Sequence, residues 1–380
     1  MSYRSQNFFY QTFSYFYYYF DLNNPKLLEK EFDRINNTLN SKEFINHQKL
    51  YAEDIYDFVK SNSTFFRKNL INRIILPKEI VYINTNEPTD NFESKRLISK
   101  KGNNEFLIKT KFYEINNFGI LEKGNNKKLF IFNGGHGDSR IPVEYEKLIK
   151  LKKQLKKNGY DILTLSIAGI GYNRHNNNIY FPTNPNLNRE KISKKSFNTE
   201  IFGHTRYLRH IWLDFYDENY PELLPISLIL SGNYYIIKAL ENNYDEIVMV
   251  GLSGGGWQTT MISSLIPKIN YSFSFAGSIP KAFADPHWNP HALMGGNSPF
   301  WNNYDIWNFY FLSLFDENGI QNRKHNLIYG KDDQCCFYPP YGTSFEKLVK
   351  ILSIKGFDVD ILENHGHHIK NDYLIKKLIK

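Results

Sequence analysis

A chain of 380 residues with 41% hydrophobic and 16% aromatic side chains, 27 Tyr and 30 Phe among them, carries enough apolar material for a packed core, which excludes wholesale disorder. The formal net charge of +8 raises the question of an anionic partner. The densest basic stretch, residues 147–157, sets Leu148, Leu151 and Leu155 at helical spacing, so its lysines read as the wet face of an amphipathic helix and no nucleic-acid partner is expected.

In chain order, residues 1–77 read as an N-terminal helical region. The aromatic segment 8–20 lacks the aliphatic centre and small-residue cleavage site of a signal peptide, and a cytoplasmic location is expected. Asn24 can cap a helix with Pro25 at its first position, followed by Leu28, Phe32, Ile35 and Leu39 at helical spacing. A second helix is predicted over residues 41–60, and a boundary near Pro77. From Ile80 onward short apolar runs alternate with amphipathic helices, the signature of an α/β domain, 78–380, with a mostly parallel sheet covered on both faces.

Eight strands are predicted, over residues 80–83, 106–113, 129–132, 162–167, 247–250, 271–275, 327–329 and 357–362. Helices are predicted over 143–157, 226–240, 257–266, 345–355 and 373–379. For the helix at 345, Thr343 and Glu346 form a capping box, Phe345, Leu348, Val349 and Leu352 an apolar stripe, and Gly356 the left-handed stop. Two stretches fall outside the alternation, 173–220 and 281–323, and insertions of this length act as lids or binding loops. No run of about 18 apolar residues occurs, so no membrane span is expected.

Chemistry enters at Gly251-Leu-Ser-Gly-Gly255, a G-x-S-x-G placed directly after an apolar strand and before a helix. In that context the serine occupies a strained turn that small neighbours permit, and its hydroxyl stands clear of the sheet. A phosphate-binding turn would carry a lysine or a second glycine set, which the segment lacks. A serine hydroxyl is a weak nucleophile until a base takes its proton and a carboxylate orients that base. Both follow in the chain: Asp332 and Asp333 after the predicted seventh strand, and His365, His367 and His368 after the eighth. The order Ser, Asp, His suits a nucleophile elbow on such a sheet.

From about residue 78 to its end the chain resembles the α/β hydrolases. In that superfamily the acid commonly sits three residues after the glycine closing the seventh strand, which selects Asp333 over Asp332, with Asp285 as an outside alternative. The histidine usually follows a glycine, as in Gly366-His367, which selects His367. The tetrahedral intermediate needs preorganised N–H donors. One belongs to Gly254, after the nucleophile, and one to the loop Asn133-Gly-Gly-His-Gly-Asp138, where the resemblance assigns His136, with Gly135 as fallback. The elbow through Trp257 and the acid segment Asp333-Gln-Cys-Cys-Phe337 are similar to those of bacterial α/β hydrolases of unassigned substrate.

The adjacent Cys335 and Cys336 read as reduced, small buried residues, because a bond between neighbours is strained. His287 and His291 stand four apart, as zinc ligands on a helix would, but Pro286 and Pro290 break that helix. Trp288, Phe300, Trp301, Tyr304 and Trp307 around them read as a lid or pocket wall. The expected function is hydrolysis of a small carboxylic ester through an acyl-enzyme, with no cofactor and no metal. A peptidase, an acyltransferase or a catalytically silent binding module are the alternatives. Oligomeric state and substrate identity are not legible.

Overall fold

The computed structural model describes residues 33–34, 36–88, 105–112, 115–124, 126–135, 141–167, 225–284, 304–333 and 341–379. Several features expected from the sequence lie outside the described residues: the cap at Asn24 and Pro25, His136, the stretch 173–220, Asp285 with the rest of 285–303, and Cys335 and Cys336.

After a helical stretch over 36–39, helix α1 (Lys42–Ile74) begins at Ser41, whose side chain accepts the N–H of Phe44 at 3.2 Å. It runs well past the expected end at residue 60. Ser61-Asn-Ser-Thr64 reads as a turn, yet Val59, Phe66, Leu70 and Ile74 continue one buried face across it, and that packing overrides local propensity.

Among the described residues the sheet has nine strands, not the expected eight. They are β1 (Tyr82–Pro88), β2 (Glu105–Phe112), β3 (Ile115–Glu122), β4 (Lys128–Asn133), β5 (Tyr160–Leu165), β6 (Glu246–Leu252), β7 (Tyr271–Phe275), β8 (Lys324–Gly330) and β9 (Phe357–Leu362). The strand missed from sequence is β3, whose Asn116, Asn117 and Gly119 look like turn residues. Gly119 serves close packing instead, since a Cβ there would meet Leu165, Ile236 and Leu163 at 3.0–3.2 Å.

Strands lie in the order β1-β2-β3-β5-β4-β6-β7-β8-β9. The first three form an antiparallel meander, β3 pairs antiparallel with β5, and from β5 to β9 every neighbour is parallel. Alternate residues of each central strand face opposite sides. Phe130, Phe132, Val248, Val250 and Phe273 pack with Leu151 and Leu155 of α2 (Ile141–Lys157) and Leu374 of α7 (Asn371–Leu378). Leu129, Ile131, Ile247, Met249 and Leu327 face a larger layer of α1, α3 (Pro225–Leu240), α4 (Gly254–Leu265), α5 (Ile306–Leu312) and α6 (Tyr341–Leu352). A mostly parallel sheet with helices on both faces and its elbow between β6 and α4 is an α/β-hydrolase fold.

Of the second expected insertion, residues 306–312 form α5, every residue of which is buried. Trp307 stacks on Phe311 with ring centroids 5.3 Å apart and meets Phe345 edge-on at 5.4 Å. Helix α6 starts at Tyr341, so Thr343 lies inside it and does not cap it. The helix ends at Leu352, Ser353 turns the chain at φ 50°, and Gly356, at φ 84°, serves the turn into β9, where a Cβ would lie 2.5 Å from the Arg323 carbonyl oxygen. Among the described residues no helix is long and apolar enough to cross a membrane.

Candidate active site

Ser253 sits between β6 and α4 at φ 56°, ψ −124°, a conformation an L-residue keeps only where its surroundings fix it. Its N–H donates to the Phe275 carbonyl at the end of β7 (2.8 Å), and its carbonyl accepts from the N–H of Trp257 (2.9 Å). The flanking glycines answer a steric demand. A Cβ on Gly251 would lie 2.1 Å from the Gly255 carbonyl oxygen, and one on Gly255 would lie 2.3 Å from the carbonyl oxygens of Asn133 and Gly134. The result is the tight strand–turn–helix expected from the sequence, with the Ser253 residue part-exposed and its neighbours buried.

Gly254 opens α4, so its N–H belongs to the first turn, whose donors have no acceptor within the helix. The loop leaving β4 runs alongside: a Cβ on Gly135 would come within 3.0 Å of the Leu252 carbonyl oxygen and 3.3 Å of the Ser253 Cβ. Gly135 is therefore brought to the elbow, whereas His136, preferred by resemblance, lies outside the described residues.

The turn after β8 carries Asp333 and the loop after β9 carries His367. Nδ1 of His367 lies 2.8 Å from Oδ2 of Asp333, with the Asp333 side chain fully buried and that of His367 11% exposed. An ionised carboxylate only accepts, so Nδ1 donates and Nε2 is left as the basic nitrogen. Asp332, one residue earlier, is exposed. The two loops are locked together by backbone: Asp332 N–H donates to the His365 carbonyl (2.9 Å), Lys331 N–H to that of Leu362 (3.0 Å), and Gly330 leaves no room for a Cβ, which would lie 2.1 Å from the His365 carbonyl oxygen.

The other two histidines of the cluster have different settings. His365 is buried, edge-on to Phe275 with centroids 6.4 Å apart, and 4.2 Å centroid to centroid from His368. Burial first, then the neighbouring His368, lowers its pKa to about 4, so the ring is neutral at pH 7. Among the described residues no three His, Cys, Asp or Glu side chains gather as a metal would require.

Sequence reasoning missed a group directly behind the elbow. Gln258 in α4, Asn133 at the end of β4 and Asn233 in α3 are all fully buried, and both asparagines donate to the Gln258 side-chain oxygen. Nothing in the linear pattern joins residues 125 and 25 positions apart, so only the fold reveals the group.

No protein-family model matches the sequence. No curated protein matches it either. Among solved structures the chain is similar to acetyl xylan esterase 1 from Thermoanaerobacterium sp., at 13% identity and a TM-score of 0.41 over 86% of this chain and 91% of that one. It is similar to an S-formylglutathione hydrolase from Agrobacterium tumefaciens, at 14% identity and a TM-score of 0.43 over 73% and 93%. It is also similar to the acylaminoacyl peptidase of Pyrococcus horikoshii, at 15% identity and a TM-score of 0.40 over 69% of this chain and 37% of that one.

Proposed function

We propose that the chain is a serine hydrolase that cleaves a small carboxylic ester through an acyl-enzyme. The observation that carries the reading is the 2.8 Å pairing of His367 with a buried Asp333, on loops of the same sheet whose β6–α4 turn holds Ser253 in a strained conformation. Buried carboxylate, oriented imidazole and elbow serine are the parts that acyl transfer needs.

In this mechanism His367 Nε2 takes the Ser253 proton as Oγ attacks the ester carbonyl carbon. The resulting oxyanion is held by the N–H of Gly254 and one from the Gly135–His136 loop, and the imidazolium by Asp333. Collapse of the tetrahedral intermediate breaks the bond to the alcohol oxygen, which leaves with the proton from His367. A water then loses its proton to His367 and attacks the acyl-serine. The second collapse releases the acid and returns the proton to Ser253. No cofactor enters the cycle.

The test is hydrolysis of p-nitrophenyl esters of graded chain length, with fluorophosphonate labelling in parallel. Wild type is expected to turn over and label, and Ser253→Ala to do neither. Turnover that persists in Ser253→Ala removes Ser253 from the chemistry. A wild type inert to esters and probe alike leaves the binding-module alternative. Peptide amides cleaved faster than esters identify the peptidase alternative.

A further inference from the structure

Gln258 lies in the second turn of the helix that follows Ser253, and its side-chain amide joins that helix to β4 and α3. Oε1 accepts from Nδ2 of Asn133 at 2.6 Å and from Nδ2 of Asn233 at 2.9 Å, while Nε2 donates to the Ile229 carbonyl of α3 at 3.0 Å. Asn233 Nδ2 also reaches the Ser166 carbonyl, just past β5, at 3.0 Å. All three amides are 0% exposed.

Such a cluster is an expensive way to fill a core. Three buried amides forfeit their hydration and gain little net stability from pairing, whereas apolar side chains of the same volume would fill the space at no such cost. What a buried group hydrogen-bonded through one shared amide supplies is a fixed geometry. The geometry at stake here is that of Asn133, the last residue before Gly134 and Gly135. From Asn133 the loop passes directly against the elbow: the N–H of Gly134 donates to the Leu165 carbonyl at 3.2 Å, Gly255 packs on Asn133 and Gly134, and Gly135 packs on Ser253. Close approach sets how near the loop comes. Among the described residues, the hydrogen bond from Asn133 to Gln258 is what ties its first residue, by a side chain, to the helix that carries the nucleophile.

Building on the function proposed above, we infer that Gln258 is a positioning residue for the oxyanion-binding loop: it sets, through Asn133, where the N–H of Gly135 points relative to the Ser253 hydroxyl. Gln258 touches no substrate. Its contribution appears when negative charge develops on the carbonyl oxygen and not when the ester binds. Displacing such a donor by about 1 Å costs on the order of 10²-fold in rate.

The experiment compares wild type, Gln258→Met, Asn133→Ala and the double variant, each confirmed folded by urea unfolding. Gln258→Met is expected to lower kcat on a p-nitrophenyl ester about 10²-fold, with KM within about threefold, the mark of an interaction made in the transition state. Affinity for a trifluoromethyl ketone, whose carbonyl becomes an oxyanion on addition of the serine, should fall by the factor lost in kcat/KM. Affinity for the matching non-electrophilic ketone should hold. Asn133→Ala should reproduce the loss, and the double variant should be no worse than either single one, because the bond between Asn133 and Gln258, lost in all three, is the one that places the loop. If Gln258→Met fails to fold, Asn133→Ala alone reads the same split. Losses of stability with wild-type kcat and ketone affinity, or losses that add in the double variant, overturn the inference while leaving the hydrolase intact. A wild type without esterase activity or fluorophosphonate labelling overturns the proposed function, and this inference with it.

Discussion

At Ser253 the backbone carries about 1–3 kcal/mol of conformational strain. It is held there by the hydrogen bond from its N–H to Phe275 and by glycine contacts too short for any Cβ. In the proposed mechanism that strain keeps the hydroxyl forward without a conformational step during attack. The partner pair is fixed with similar economy, since burial leaves the Asp333 carboxylate oriented on one ring nitrogen of His367. Asp333→Asn is expected to leave the fold intact and lower kcat about 10⁴-fold, by losing the tautomer that presents Nε2 as base. Asp332→Asn, at an exposed position, is expected to stay within a few-fold of wild type. Ester kinetics on the two purified variants check both, and equal losses would remove Asp333 from its role.

At the scale of elements, two buried arginines hold the N-terminal helix and the end of α4 in place. Arg67 of α1 donates through Nε to the Ser264 carbonyl (2.9 Å), and through its terminal nitrogens to Leu312 (3.0 Å), Asp316 (2.9 Å) and Phe315. Arg323 reaches Ser263 (2.6 Å), Ile266 (3.2 Å), Ile269 (2.6 Å) and again Phe315 (3.0 Å). The last carbonyls of α4 and α5 lack intrahelical donors and carry the negative ends of the helix dipoles, so two cations satisfy both demands. Burial lowers the pKa of Arg67 to about 10, still well above neutrality, so the charge is kept. Arg67→Met fills the space yet strands those carbonyls, and a loss of about 3 kcal/mol is expected. Urea unfolding with an unchanged m-value checks this. A shift under about 0.5 kcal/mol, the range of ordinary surface changes, would show that α1 is held by its apolar face alone.

For the whole molecule, two apolar layers sandwich the sheet, and the larger one encloses a neutral histidine. His325 of β8 is fully buried, with Nδ1 2.7 Å from the Ser272 hydroxyl, Nε2 3.3 Å from that of Thr260, and its ring stacked on Tyr310 and Phe357. Lys324 and Arg323 precede it on its own chain, and Arg323 is the nearby cation that adds to the effect of burial. Burial first, then Arg323, lowers the His325 pKa to about 3, and that of His365 stands at about 4. Each folded value lies below the ordinary 6.5, so the unfolded chain binds the proton first and stability falls as pH drops below about 6.5, continuing until the folded pKa is reached. Between pH 7 and 5 a loss on the order of 2–4 kcal/mol is expected, roughly halved in His325→Gln. Urea unfolding at pH 7, 6 and 5 reads it. An identical pH slope in the variant would show that another group drives the acid loss.

The sequence by itself determined what is contiguous: an apolar strand, a glycine-flanked serine and a helix, together with the alternation that makes a doubly covered parallel sheet. Such features are legible because backbone sterics and side-chain periodicity act over a few residues. The order of serine, acid and histidine was legible too, and the family resemblance singled out Asp333 and His367, but the contact between them, 34 residues apart, depends on β8 and β9 lying side by side in register. Tertiary packing alone decided the remainder. It made a strand of residues 115–122 despite their turn-like asparagines, carried α1 to Ile74, and drew Asn133, Asn233 and Gln258 together behind the elbow. In each case the deciding energy is burial against residues distant in the chain, and no local pattern records it.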